Sequence, residues 1–473
     1  MTANLLEDFH QVSKSTWKTQ IVKDLKGKEY EKSLVSSTLS GLKLEPFYTA
    51  EDSIGLENIF AYRNRINPDP EIPGLGPRLW SNVHFVIASE EKQANQEILK
   101  ALQQGADAIR IELSGNEDFS VIFSGVHLEY IQVFIEPKSD PVPLLKKFLE
   151  FVVQSGLDRS KLSGALMWGG LVHALKTKKP KTELANHAYQ LMSLSKDFPG
   201  FKVIGIGASF YHNAGATAVQ ELAYAFGAWI GLAERLIEKG LQPAEIAHKT
   251  FIDLAIGSEF FEEIAKVKAA RIFFHSLLRL YDVEVATENI FIYASTSQWT
   301  KTQKDSYNNL LRNTTEAMAA IIGGCNALQV VPFDMAVENA GGFSMRMSRN
   351  VSSILLEESY LNRIMDPTAG SFFVENLISD LLEAVKNKLA DIENEGGWWH
   401  LYASLQMQEE IKLTRRIKQE AVESGENTVV GVNKYLNAKD EAFVPNYLAE
   451  EENWQLLPSR LSMLAEHSNG GDS

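Results

Sequence analysis

The chain has 473 residues, 45% apolar and 23% charged, the balance of an ordinary globular protein with room for one large domain plus extensions, or two domains. Its net charge of −15 gives no basic footprint for nucleic acid or an anionic membrane, and no apolar run reaches the roughly 18–20 residues of a membrane span. The one cysteine, Cys325, excludes an internal disulfide and an all-cysteine metal cage, and the opening MTANLLEDFHQ is too acidic and polar for a signal peptide, so a cytoplasmic protein is expected.

Residues 1–78 read as an extended, partly helical arm. Phe9, Trp17, Ile21 and Leu25 mark one helical face, and INPDPEIPGLGP (66–77) holds too many prolines and glycines for a regular element. Such an arm wraps either its own barrel or a partner subunit, and both readings stand at this point.

From Val83 onward, strands and helices alternate. Strands are expected at Val83–Ala88, Ala108–Leu113, Ile131–Glu136, Gly164–Trp168, Lys202–Ile206, Thr250–Leu254, Ile290–Ala294 and Leu328–Val331. Amphipathic segments lie between most of them, at Lys92–Gln103, Pro143–Gln154, Thr182–Ser195, Ala214–Lys239, Glu259–Tyr281 and Tyr307–Ile322. The exception is EDFSVIFSGVHLEY, which has no clear helical period. Eight such repeats predict an α/β protein whose residues 79–345 form a (β/α)8 TIM barrel. An open doubly wound sheet is the alternative. Its glycine fingerprint is only approached by GIGASF (205–210), which lacks the last glycine and comes in mid-chain. Residues 346–473 read as a helical C-terminal extension, with helices at Ser352–Met365, Asn376–Ile392 and Gln406–Ser424 and a break at GGWW (396–399).

Barrel enzymes place their chemistry at the C-terminal ends of the strands. Here those ends carry glycine and serine but no convergent acid, base and nucleophile. His212, in SFYHNAGATA after strand five, is the most tempting residue, although a lone histidine beside an aromatic is more often structural. The neighbours Glu262–Glu263 and Glu357–Glu358 point apart on their helices and read as solvated faces. Lys176–Lys181 reads as a solvated basic loop. No His-Glu-x-x-His and no Cys-x-x-Cys supplies a metal site.

Several motifs carry a resemblance. AKVKAAR (265–271), DSYNNLLRNTTEAMAA (305–320), DPTAGSFFVE (366–375), GVNKY (431–435) and LKLEPFYTAED (42–52) together resemble the acyl-CoA mutases that use adenosylcobalamin, above all the methylmalonyl-CoA mutase family. The order and spacing of the motifs span almost the whole chain. The resemblance also implies which working groups are missing. Catalytic chains carry a histidine that hydrogen-bonds the thioester carbonyl; alignment on Ala214-Gly215-Ala216 puts Phe210 there and His212 at a glutamine position. They carry an arginine and a radical-driving tyrosine after a tryptophan; counting from Trp80, Val83 and Phe85 stand in those places. They carry histidines beside strand eight, where this chain has Gly324-Cys325-Asn326. The Asp-x-His-x-x-Gly loop of a cobalamin module is matched only by Ala465-Glu466-His467, with alanine for the aspartate.

The resemblance therefore implies the small, non-catalytic subunit of a heterodimeric methylmalonyl-CoA mutase. Its arm would embrace the large catalytic subunit, and that partner would bind adenosylcobalamin and the acyl-CoA. This chain would have no cobalamin-binding domain and no catalytic, cofactor or metal residues. Two alternatives remain: the acyl-CoA-binding half of a split mutase, and a free-standing scaffold barrel.

Overall fold

The computed structural model describes residues 12–62, 76–337, 341–437 and 453–468. Each apolar run read as a barrel strand forms one. They are β1 (Ser81–Ile87), β2 (Ala108–Leu113), β3 (Gln132–Pro137), β4 (Ser163–Leu166), β5 (Phe201–Lys202 and Ile204–Gly207), β6 (Thr250–Ile256), β7 (Ile292–Thr296) and β8 (Ala327–Gln329). β5 is broken at Val203. Its first piece pairs with β4 and its second with β6, so one strand joins both ends of the sheet. All these pairings are parallel. The sheet therefore closes into the expected (β/α)8 barrel, and an open doubly wound sheet is excluded.

The break in β5 is held by Lys249. Its backbone carbonyl accepts from both Val203 and Ile204, each at 3.0 Å. Its buried ammonium donates to the carbonyls of Ser195, Phe198 and Phe201, which uses all three of its N–H groups. The glycines of GIGASF serve the same region. A Cβ on Gly205 would lie 2.8 Å from the Trp168 carbonyl oxygen, so glycine lets β5 approach β4 rather than cradle a nucleotide.

Six helices cover the barrel: α1 (Glu91–Gln103), α2 (Pro141–Gln154), α3 (Lys181–Leu194), α4 (Ala218–Glu238), α5 (Phe260–Leu280) and α6 (Asn308–Gly323). Between β2 and β3, where the sequence lacks a helical period, there is only one helical turn, Phe119–Ile122, and a tight turn at Leu128–Tyr130. α6 ends on Gly324, whose left-handed backbone (φ 99°) caps it. The C-terminal region supplies α7 (Gly342–Glu357), α8 (Phe372–Asn394) and α9 (Gln406–Glu423), with GGWW separating the last two as expected.

The described part of the arm lies on its own barrel. Ser40 donates to Glu262, Tyr48 packs on Phe373 with ring centres 5.3 Å apart, and Tyr62 shares a hydrogen bond with His275 at 2.9 Å. Trp17, Ile21 and Leu25 share a half-buried face of the helix Lys14–Asp24, which has no fully buried residue. Phe9 and residues 66–75 of the proline-rich stretch lie outside the described residues.

Candidate functional site: the barrel mouth

Strand alternation sends every second side chain into the barrel. One inner layer is apolar, built by Val83, Ala108, Phe134, Ala165, Phe251, Tyr293 and Ala327. Two residues further along the strands, toward the mouth, the layer becomes polar with Arg110, Glu136, Asp253 and Gln329. Above it opens a hollow of about 170 Å³, lined also by Trp168, His173, Lys176, Ser209 and Phe210.

The polar layer is a closed network. Arg110 donates from Nε and Nη2 to one oxygen of Glu136, at 3.0 and 2.8 Å, and from Nη1 to Gln329 Oε1 at 2.8 Å. Tyr293 Oη donates to the same Gln329 oxygen at 2.5 Å, and Ser209 Oγ donates to Asp253. The Arg110 guanidinium also lies 5.9 Å from the centre of the Phe85 ring. Burial pushes Glu136 up, but Arg110 together with Lys176 and Lys138 outweighs it and holds that carboxyl below the usual range. For Asp253 burial outweighs the pull of Arg110 and carries the carboxyl up. His173 falls to about 4 through burial, reinforced by Lys176, so the one imidazole lining the hollow is neutral near pH 7.

This network was not read from the sequence, although a signal was present. In AIRIEL (108–113), Ile109, Ile111 and Leu113 are buried outward against helices, which leaves Arg110 and Glu112 to face inward. A charge at mid-strand on the inner face of a barrel marks a polar interior.

The residues singled out earlier fall into place around this mouth. Phe210 lines the hollow, with Lys176 Nζ 5.3 Å from its ring centre. Phe85 sits beside Arg110, and Val83 belongs to the apolar layer below. His212 does not reach the hollow. It is buried, with Nε2 on Ser297 Oγ at 2.9 Å and Nδ1 on Glu221 at 3.3 Å. Tyr211 is buried as well, its hydroxyl accepting from Trp398 Nε1 at 2.7 Å. Burial pushes the Cys325 thiol up to about 12, so it is inert. His467 sits on the helix Met463–Ser468, whose neighbouring Glu466 accepts from the backbone of Gln303 and Lys304.

The reading of Glu262–Glu263 as a solvated face is overturned. Both are buried. Glu262 accepts from Ser40 of the arm, and Glu263 pairs with Lys266 at 2.7 Å. The two do point apart, but the arm covers Glu262 and Lys266 covers Glu263, so neither direction leads to water. Glu357 and Glu358 are exposed as expected. Of the basic run read as a solvated loop, Lys176 and Lys178 are exposed, but Lys176 belongs to the short helix Ala174–Thr177, and Lys179 and Lys181 are half-buried, Lys181 opening α3.

The motifs shared with the mutases turn out to brace one another. In AKVKAAR, Lys266 pairs with Glu221 at 2.7 Å and donates to the Ala255 carbonyl. Lys268 pairs with Asp366 and donates to Thr368, both in the DPTAGSFFVE motif and both at 2.5 Å. Arg271 donates to the carbonyls of Thr287, Ile290 and Gly324 at the bottom of the barrel. In the third motif, Asn309 and Asn313 donate to the carbonyls of Phe333 and Val331, while Glu316 binds Lys301 and Thr300. Arg312 reaches the Val430 carbonyl beside GVNKY.

Comparison with known proteins decides what this shared scaffold is. Residues 111–469 match the family model described as methylmalonyl-CoA mutase. The chain belongs to the methylmalonyl-CoA mutase family. It is 28% identical over 460 residues to a protein named methylmalonyl-CoA mutase small subunit from Porphyromonas gingivalis, covering 95% of this chain and 74% of that one. It is 28% identical over 468 residues to a methylmalonyl-CoA mutase from Cereibacter sphaeroides, and 27% identical over 470 residues to the mitochondrial methylmalonyl-CoA mutase of Homo sapiens. It spans 64% and 61% of the length of those two relatives.

Mutases of this family use adenosylcobalamin, and the described residues at the barrel mouth do not fit it. Both His212 ring nitrogens are engaged within the fold, and His173 stands at a hollow below the roughly 300–1,000 Å³ of small-molecule sites. Among the described residues, no group of three or more His, Cys, Asp or Glu could hold a metal ion, and no helix is long and apolar enough to cross a membrane.

Proposed function

We propose that this chain is the small, structural subunit of a cytoplasmic heterodimeric methylmalonyl-CoA mutase. The large partner holds adenosylcobalamin and the acyl-CoA and carries out the interconversion of methylmalonyl-CoA and succinyl-CoA. The observation that carries this reading is the polar layer under the mouth. Arg110, Glu136, Gln329 and Tyr293 bond to one another across the barrel, and the resemblance aligns Phe85 and Phe210 with the tyrosine and histidine of catalytic chains. The resemblance to the Porphyromonas gingivalis small subunit along 95% of the chain supports it further.

The chain does not turn over substrate by itself; it stabilises the large subunit across an interface which, in obligate pairs, is on the order of 2,000 Å² or more. Co-expression with a full-length mutase chain, followed by size-exclusion chromatography and activity assay, tests this. A 1:1 complex is expected, with all cobalamin on the large chain and lower stability of that chain alone. Turnover by this chain when supplied with only a small cobalamin-binding protein would overturn the proposal in favour of a split mutase. A stable monomer indifferent to the large chain would favour a free-standing barrel.

A further inference from the structure

A second polar cleft lies outside the barrel, between α1 and α7, with a volume of about 490 Å³. Its charge runs against that of the chain. The whole protein carries −15, yet the described residues lining this cleft include three cations, Lys100, Arg346 and Arg349, against one carboxylate, Glu97.

Arg349 is the unusual member, because it is 6% exposed and no carboxylate is hydrogen-bonded to it. Its Nη1 donates to His84 Nδ1 at 3.1 Å and its Nη2 to Gln104 Oε1 at 2.7 Å. Because His84 accepts at Nδ1, its proton sits on Nε2, which donates to Glu97 at 3.1 Å. A neutral imidazole thus separates the guanidinium from Glu97, the one carboxylate among the described residues lining the cleft. Among the described residues, Arg349 Nε has no hydrogen-bond partner. A buried guanidinium with no direct counter-charge is costly unless an anion balances it. Lys100 and Arg346 stand exposed at the rim, where they can close on such an anion. Gly342 at the start of α7 lines the same cleft, and among the described residues no side chain caps that helix end.

We propose that this cleft is a binding site for the phosphate group of a small phosphorylated metabolite, with Arg349 as the buried anchor and Lys100 and Arg346 as the outer clamp. The excess of two positive charges matches a phosphate monoester, which carries close to two negative charges near pH 7. A single carboxylate would leave one of them unbalanced. The cleft volume suits a ligand of a few sugar-sized units. The site is separate from the barrel mouth, and the proposal does not depend on the subunit reading above.

Calorimetric titration of the purified full chain with inorganic phosphate, at ionic strength held constant with chloride, tests it. Saturable 1:1 binding is expected. The double variant K100A/R346A changes only exposed side chains, so its unfolding midpoint without phosphate should match the parent while its affinity falls at least about tenfold. R349Q should abolish binding. Succinate, titrated in the same way, should bind more weakly than phosphate. Absence of saturable heat, equal affinity in K100A/R346A, or succinate binding as tightly as phosphate would each overturn the assignment.

Discussion

Lys268 and Asp366 are the pair on which two of the shared motifs meet, 98 positions apart in the chain. Both side chains are almost fully buried. Burial pushes the Asp366 carboxyl up, but Lys268 and then Thr368 outweigh it and hold it below its ordinary value of 3.8. A depressed carboxyl contributes stability above its unfolded value and loses it as pH falls through the folded one. Lys268→Ala leaves that carboxylate buried and unpaired, which should cost about 3–5 kcal/mol at pH 7 in urea unfolding. The gap to the parent should narrow as the pH drops below 4, where Asp366 takes up a proton in both proteins. A gap that stays constant with pH would show that lost packing, not charge, is responsible. At this scale the sequence was silent about the polar layer inside the barrel. Phe85 and Phe210 stand out only through the family resemblance, which sets them at a tyrosine and a histidine position. Arg110 and Glu136 announce nothing alone, because their meaning depends on which face of β2 and β3 turns inward.

Helix α5 explains most of what was misread between elements. Its apolar stripe was legible from spacings of three and four, and so were its boundaries to within a residue. Its surroundings were not, since Ser40 of the arm meets Glu262, Glu221 of α4 and the Ala255 carbonyl meet Lys266 beside Glu263, and Asp366 meets Lys268. Charges on a helix signal water only when the helix has a wet side. The break in β5 was equally hidden, because it depends on Lys249, a residue distant in sequence that gathers three carbonyls. The α5–α6 contact yields a test. Gly323 of α6 lies so close that a Cβ there would stand 2.6 Å from Val267 Cβ. Gly323→Ala should force the helices apart and destabilise the protein by about 1–3 kcal/mol. Trimming Val267 to alanine leaves its Cβ in place, so V267A should bring no rescue. Recovery in the double variant, measured by thermal unfolding, would mean that the Val267 methyls rather than the helix axes set the spacing.

The whole molecule keeps the mutase scaffold, and the proposed structural role raises the question whether activity is two side chains away. Loss of a hydroxyl at Phe85 and an imidazole at Phe210 is reversible in principle. The Arg110–Glu136 pair is a different obstacle. It is coupled to Gln329 and Tyr293 across the barrel, so four strands hold a polar plug directly beneath the hollow. Restoring the lost groups leaves that plug in place. The variant F85Y/F210H should fold with an unfolding midpoint near that of the parent, because each change keeps an aromatic ring in its place. Given adenosylcobalamin and methylmalonyl-CoA, it should form no succinyl-CoA and give no radical signal by electron paramagnetic resonance. Turnover by this variant would show that the plug yields to substrate, and the chain would then be better understood as a catalytic half whose working groups had only recently been lost than as a barrel retained for its shape.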